Sequence, residues 1–143
     1  MRLRQIMNTD VEMIQPESPV SEAAKKMKLL DVGALPVCDG RRLLGMITDR
    51  DITVRATAEG RNPDATLVRD CMSPEILYCF EDEDATQAER MMRQKQIRRL
   101  PVLTREKQLT GIVSLGDLAT KIGDVQQVGR TVRDVPEPAG AVA

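Results

Sequence analysis

The sequence predicts an α/β (α+β) fold made of two copies of a β-α-β-β-α unit, and an internal repeat is the first observation behind it. Gly33-Ala34-Leu35-Pro36-Val37 recurs as Arg98-Arg99-Leu100-Pro101-Val102, 65 positions later. At the same offset Met7 meets Met72, Ala23 meets Ala88 and Met27 meets Met92. After one extra residue, Leu43-Leu44-Gly45-Met46-Ile47-Thr48-Asp49-Arg50-Asp51-Ile52 meets Leu109-Thr110-Gly111-Ile112-Val113-Ser114-Leu115-Gly116-Asp117-Leu118. The second observation is periodicity, which changes from helical to strand-like at matching places in both copies.

Each copy opens on a short strand, near Val11–Gln15 and near Ile76–Phe80. A helix follows in the first copy, with Ser18 as cap and Pro19 at the first helical position. Val20, Ala23, Ala24, Met27 and Leu30 form its apolar stripe. In the second copy the acidic run Glu81–Asp84 suits a helix N-terminus, and Ala85, Ala88, Met92 and Gln96 or Ile97 continue the period. The apolar runs Ala34–Cys38 and Leu43–Thr48 flank the turn residues Asp39 and Gly40 and read as a hairpin. Leu100–Leu103 and Leu109–Ser114 are their counterparts. A second helix starts at Asp49 and at Leu115. Pro36 and Pro101 lack an N–H, which marks a strand edge or opening.

These elements place the first motif with its linker at residues 1–66 and the second at 67–123. The linker is Glu59–Thr66, rich in turn residues. Residues 124–143 form a C-terminal extension expected to be partly disordered, with a Pro- and Gly-containing stretch from Pro136 to Gly140. Within it, Thr131–Val135 echoes Leu67–Cys71, but too few residues follow for a third copy.

Composition narrows the function. Tyr78 and Phe80 are the only aromatic residues, so the core must be built from aliphatic side chains and eight Met. The net charge of −1 provides no basic field for nucleic acid. The local cluster Arg90, Arg93, Lys95, Arg98 and Arg99 reads as solvated charge, with few aromatic side chains for base stacking. Cys38, Cys71 and Cys79 form no CxxC pair, and without His the familiar zinc patterns are excluded. They read as free thiols in a reducing cytoplasm, with Cys71 and Cys79 as a less favoured redox pair. No apolar run approaches the ~20 residues of a membrane span.

The most informative segments are Gly45-Met46-Ile47-Thr48-x-x-Asp51 and Gly111-Ile112-Val113-Ser114-x-x-Asp117. [ST]-x-x-D at a strand-to-helix junction is a capping box, in which hydroxyl and carboxylate satisfy orphan N–H groups. The same spot offers a hydroxyl, backbone N–H groups and a positive helix end to a phosphate. A carboxylate there can also accept both hydroxyls of a ribose. Both readings stand on these residues.

G-x-x-[ST]-x-x-D after an L-P-V strand resembles the CBS motif, and its tandem occurrence resembles a CBS pair. The resemblance covers about residues 4–122. It implies two pseudo-symmetric motifs whose sheets pack together, with up to two clefts for AMP, ADP, ATP, S-adenosylmethionine or NAD. Carried over by position, Asp51 and Asp117 hold ribose hydroxyls, and Thr48 and Ser114 contact phosphate. Leu35, Pro36, Leu100 and Pro101 line adenine slots with backbone from Met13–Ile14 and Tyr78–Cys79. Arg98 is a phosphate contact without an equivalent, since its repeat partner is Gly33. Arg50 and Arg55 are further phosphate candidates that a solvated helix face explains equally well.

The resulting expectation is a cytoplasmic regulatory module that binds an adenine nucleotide, needs no cofactor or metal, forms a homodimer and acts on an unidentified protein partner. A structural dimerisation module with empty clefts is the alternative. Catalysis is not expected, because no His can act as a base and no Ser or Cys has a recognisable base partner.

Overall fold

The repeat in the sequence is carried through to the backbone. The computed structural model describes residues 1–74 and 76–121. In chain order the elements are a 3-10 turn at Leu3–Gln5, α1 (Val20–Leu30), β1 (Ala34–Asp39), β2 (Arg42–Thr48) and α2 (Asp49–Ile52). A π-helical stretch at Thr53–Thr57 and a second 3-10 turn at Val68–Asp70 come next. The remainder is β3 (Cys79–Phe80), α3 (Ala85–Lys95), β4 (Arg99–Leu103), β5 (Leu109–Ser114) and α4 (Leu115–Lys121). The expected C-terminal extension, 124–143, and the echo at Thr131–Val135 lie outside the described residues.

Two compact units result. One is the continuous stretch Glu12–Ile76, and the other joins Met1–Val11 to the described residues from Leu77 onward. The opening segment of each sequence copy therefore packs on the hairpin of the other copy. Asn8 exchanges two backbone hydrogen bonds with Ile112, at 2.8 and 2.9 Å. Its equivalent, Ser73, does the same with Met46 at 2.9 and 3.0 Å. The 3-10 turns follow suit: Leu3 and Arg4 donate to Glu83 and Glu81, while Val68 and Arg69 donate to Ser18 and Pro16.

In the unit Glu12–Ile76, β1 and β2 pair antiparallel, with Pro36 opposite Met46. Met46 points its N–H and C=O at Ser73, so the pair is a non-hydrogen-bonded one and the missing proline N–H costs no ladder bond. The expected strand at Val11–Gln15 is reduced to one parallel bridge, Ile14 to Val37. Thr9–Met13 carries the chain between units, and Pro16 stops the pairing on the other side. Ile14, Val20, Ala23, Met27, Leu35, Val37, Ile47, Ala56, Val68 and Cys71 form the core.

Helix α1 starts one residue later than its sequence suggests. Pro19 is the N-cap and supplies no capping side chain. Instead the amides of Val20 and Ser21 donate to the carbonyls of Thr66 and Pro63, at 2.8 and 3.1 Å. The Glu59–Thr66 segment is thus a backbone cap as well as a linker. The helix closes at Asp31, which is left-handed at φ 56°.

In the other unit, β3 pairs parallel with β4 and β4 antiparallel with β5. The strand expected at Ile76–Phe80 is confined to its last two residues. Asp84 caps α3 by accepting the Thr86 N–H at 3.0 Å. The helix ends at Gln96, φ 54°, the repeat equivalent of Asp31. Leu3, Ile6, Cys79, Ala85, Ala88, Met92, Leu100, Val102, Val113, Leu115 and Leu118 form this core.

The motif glycines allow the exchanged segments to lie down. A Cβ on Gly45 would fall within 3.0 Å of the Ser73 carbonyl oxygen, a backbone atom that cannot move aside. A Cβ on Gly111 would meet the Met7 Sδ at 2.6 Å and the Asn8 oxygen at 3.0 Å. The first obstacle there is a flexible side chain. Overpacking costs about 1–3 kcal/mol, so Gly45→Ala should sit at the upper end and Gly111→Ala below it. Urea denaturation of both variants against the parent measures the difference.

Candidate functional site

Both [ST]-x-x-D segments fold as capping boxes. The Thr48 Oγ1 accepts the Asp51 N–H at 3.0 Å, and the Asp51 Oδ2 accepts the Thr48 N–H at 2.9 Å. In the second copy the Ser114 Oγ accepts the Asp117 N–H at 3.1 Å, and the Asp117 Oδ2 accepts the Ser114 N–H at 2.8 Å. The strand ends hold these groups in place, because Thr48 and Ser114 are the last residues of β2 and β5. Each carboxylate uses Oδ2 for the cap. All four side chains are partly exposed.

The two junctions differ in what surrounds the box. In the first, the Asp49 N–H donates to the Gly33 carbonyl at 2.9 Å, and the Asp49 Oδ1 accepts the Arg50 N–H at 2.8 Å. The first helical amides are therefore satisfied from within. In the second, Leu115 donates to the Arg98 carbonyl at 3.1 Å. Leu115 has no carboxylate to offer the next amide, that of Gly116. The Gly33/Arg98 asymmetry has a steric counterpart: a Cβ on Gly33 would lie 3.1 Å from the Asp49 Oδ2. A side chain at position 33 would thus be crowded by Asp49, a residue that the second copy replaces with Leu115.

Leu35, Pro36, Leu100 and Pro101 are buried, Leu35 and Leu100 within the two cores. The Ile14 backbone, expected near an adenine slot, receives Cys38 and donates to Pro36, at 3.0 and 2.9 Å. Arg50 is exposed on α2, and Arg98 is half-buried just before β4. Arg55, open in the sequence between a phosphate contact and a solvated helix face, uses its Nη1 to donate to the Cys71 and Met72 carbonyls, both at 3.0 Å. Sequence reasoning missed this role because the acceptors are backbone atoms far along the chain. A shallow depression on α3, lined by Thr86, Glu89, Arg90, Arg93 and Gln94, contains none of the expected site residues. Within it the Arg93 Nη2 donates to Glu89, which is buried, at 3.0 Å.

These features match known proteins. The CBS domain family matches residues 3–56 and 68–124, the two repeats found in the sequence. The chain belongs to the CBS domain family. It is 38% identical over 133 residues to the CBS domain-containing protein YhcV of Bacillus subtilis, covering 93% of this chain and 94% of the relative. Hypoxic response protein 1 of Mycobacterium tuberculosis is 36% identical over 117 residues, 81% of each chain. A crystal structure of hypoxic response protein I, with two coordinated zinc ions, superposes with a TM-score of 0.73 at 34% identity, covering 84% of this chain and 98% of that one. The structure of CBSX2 in complex with AMP shares the fold, with a TM-score of 0.73 at 22% identity over 87% of this chain and 98% of that one. This CBS chain contains no His, and among the described residues no three of Cys, Asp or Glu gather as a metal site. Among those residues, too, no helix is long and apolar enough to cross a membrane.

All three cysteines of the CBS pair are free and buried. Desolvation raises the Cys38 and Cys79 thiols from 9.0 to about 11, with Arg41 lowering the first and Glu83 raising the second further. A raised folded-state value means that the folded chain holds the thiol proton more tightly. The associated stability is fully present below pH 9.0 and is lost as pH rises toward about 11. Stability should fall over that window, and a Cys38→Ala, Cys79→Ala double variant should fall less steeply. Denaturation midpoints measured from pH 7 to pH 11 check it.

Proposed function

We propose that this CBS pair is a regulatory module that binds an adenosine-containing nucleotide and is not an enzyme. One observation carries the reading: both strand-to-helix junctions hold a hydroxyl and a carboxylate close together and partly exposed, each accepting the backbone N–H of the other's residue. Capping engages the Oδ2 of Asp51 and Asp117, and in this reading each carboxylate also accepts ribose hydroxyls. Thr48 and Ser114 face the phosphate, and Leu35, Pro36, Leu100 and Pro101 back the adenine through the walls they build. The AMP complex of CBSX2 supports the ligand class. The second junction is the better phosphate site, because Arg98 stands near it and Leu115 leaves the Gly116 amide without Asp49's carboxylate. Arg50 is a secondary phosphate contact. The ligand is AMP, ADP or ATP, with NAD and S-adenosylmethionine as wider members of the class.

Asparagine separates ligand binding from capping. Asp51→Asn and Asp117→Asn keep an oxygen for the cap but lose the charge that strengthens bonds to ribose. Hydrogen bonds to charged groups are worth ~1.5–3 kcal/mol, so each variant should weaken AMP at its own junction about tenfold. Folding stability should change by less than the ~0.5–2 kcal/mol of a lost cap. Arg98→Ala should weaken AMP and ATP and leave adenosine nearly unchanged. Calorimetry with the three ligands measures this; equal affinities in all variants would remove these residues from the site, and no binding to the parent would favour a structural module with empty clefts.

We also propose that the pair forms a homodimer in the cytoplasm and passes its state to an unidentified protein partner. Leu29 is 83% exposed on α1, with Leu30 and Val54 exposed in the same unit. The repeat equivalents of Leu29 and Leu30 are the polar Gln94 and Lys95, so this apolar end of α1 has no counterpart on α3. Sedimentation at micromolar concentration should give a dimer, and Leu29→Glu should shift it toward monomer.

A further inference from the structure

Arg55 holds the chain at a particular point. Its two 3.0 Å bonds end on Cys71 and Met72, the last carbonyls of the exchanged turn. The next residue, Ser73, pairs with Met46, and beyond Pro74 the chain runs on to the other unit. Lys121 occupies the equivalent position in the second copy. Its Nζ donates to the Ile6 carbonyl at 3.3 Å, and Ile6 is the repeat equivalent of Cys71. The same grip therefore forms twice, with two bonds from a guanidinium in one unit and one longer bond from an ammonium in the other.

The helical segment that bears Arg55 also bears the first capping box. Asp51 and Arg55 are four residues apart, which places them on one face about one turn from each other. The backbone between them is continuous, from α2 into the π-helical Thr53–Thr57. Thr53 donates its hydroxyl to the Asp49 carbonyl at 3.0 Å, and Ala58 donates to Thr53 at 2.8 Å. The second copy stays α-helical through Lys121. The π-helical stretch closes the helical segment, and such stretches are uncommon. The buried Cys71 thiol lies in the field of both groups, with Arg55 lowering and Asp51 raising its pKa beneath the larger effects of desolvation, Arg61 and Asp70.

We propose that Arg55 is a coupling residue, which transmits occupancy of the Thr48–Asp51 junction to the Cys71–Ser73 segment. The inference rests on the nucleotide reading of that junction. A ligand anchored on Asp51 fixes the start of the helix, and Arg55, one turn on, then holds the departing chain more firmly. By linkage the effect is reciprocal: loosening the grip weakens the ligand by the same factor.

Amide hydrogen exchange at Met72 and Ser73, with and without saturating AMP, tests it beside calorimetry. In the parent, AMP should slow Ser73 exchange at least ~5-fold, the lower bound of ordinary coupling. In Arg55→Ala that slowing should vanish while AMP still binds, more weakly. Arg55→Lys, which can make a single bond as Lys121 does, should give an intermediate slowing and carries the test if the alanine variant does not fold. Lys121→Ala should leave Ser73 unaffected. AMP bound to the parent without slowing at Ser73 overturns the coupling and spares the nucleotide reading. So does full slowing in either Arg55 variant. A parent that binds no AMP overturns both.

Discussion

The close approach of each opening segment to a hairpin that the sequence repeat assigns to the other copy is the constraint on which the rest depends. With Ile14 beside β1 and β3 beside β4, each hairpin still leaves its second strand with unpaired N–H and C=O groups, a standing invitation to wrong pairing. Here Ser73 covers that edge at Met46, and Asn8 covers it at Ile112. The covering segment comes so near that a Cβ on the adjacent glycine would meet Ser73 backbone at Gly45 and, first, the Met7 side chain at Gly111. Once the segments are seated, their turns bury Leu3, Ile6, Val68 and Cys71, and the residues just before them complete the helix starts. Ala85 donates to Met1 at 2.8 Å as Val20 donates to Thr66. The missing side-chain cap at Pro19 is thus no defect.

The two copies have diverged least in their backbone and most at the junctions. Left-handed residues at Asp31 and Gln96, and register shifts after Val37 and Val102, recur at the same offset. Yet Gly33 faces Asp49 where Arg98 stands with Leu115. A carboxylate that caps its own helix and a glycine that makes room for it belong together, as do a basic residue and an apolar one. One unit has settled its helix start with its own carboxylate, and the other begins its helix on the Arg98 carbonyl.

Much of this was legible in the sequence because it is local. Both hairpins, the four helices and the capping boxes follow from periodicity and from [ST]-x-x-D spacing. Ser18 misled as a cap, because the carbonyls that serve α1 come from the Pro63 and Thr66 loop. The strand at Val11–Gln15 shrank to Ile14, because its neighbours must span between units. The exchange itself was invisible: Leu3-Arg4-Gln5-Ile6 and Val68-Arg69-Asp70-Cys71 carry nearly the same pattern, and pattern alone does not say which hairpin each seeks. The carbonyl contacts of Arg55 were hidden for the same reason, since its acceptors are backbone atoms brought close only by that exchange.

The discontinuous unit has a consequence for how the chain is made. Glu12–Ile76 is complete once its own residues have emerged, but Leu3 must wait for Glu83, and Asn8 for Ile112. At a ribosomal rate of about 5–20 residues per second, that wait lasts several seconds. During it the N-terminal residues have no native seat of their own. The hairpin already formed is the seat of Val68–Ser73. Vectorial synthesis therefore completes the seat of Val68–Ser73 well before the seat of Leu3–Asn8 exists.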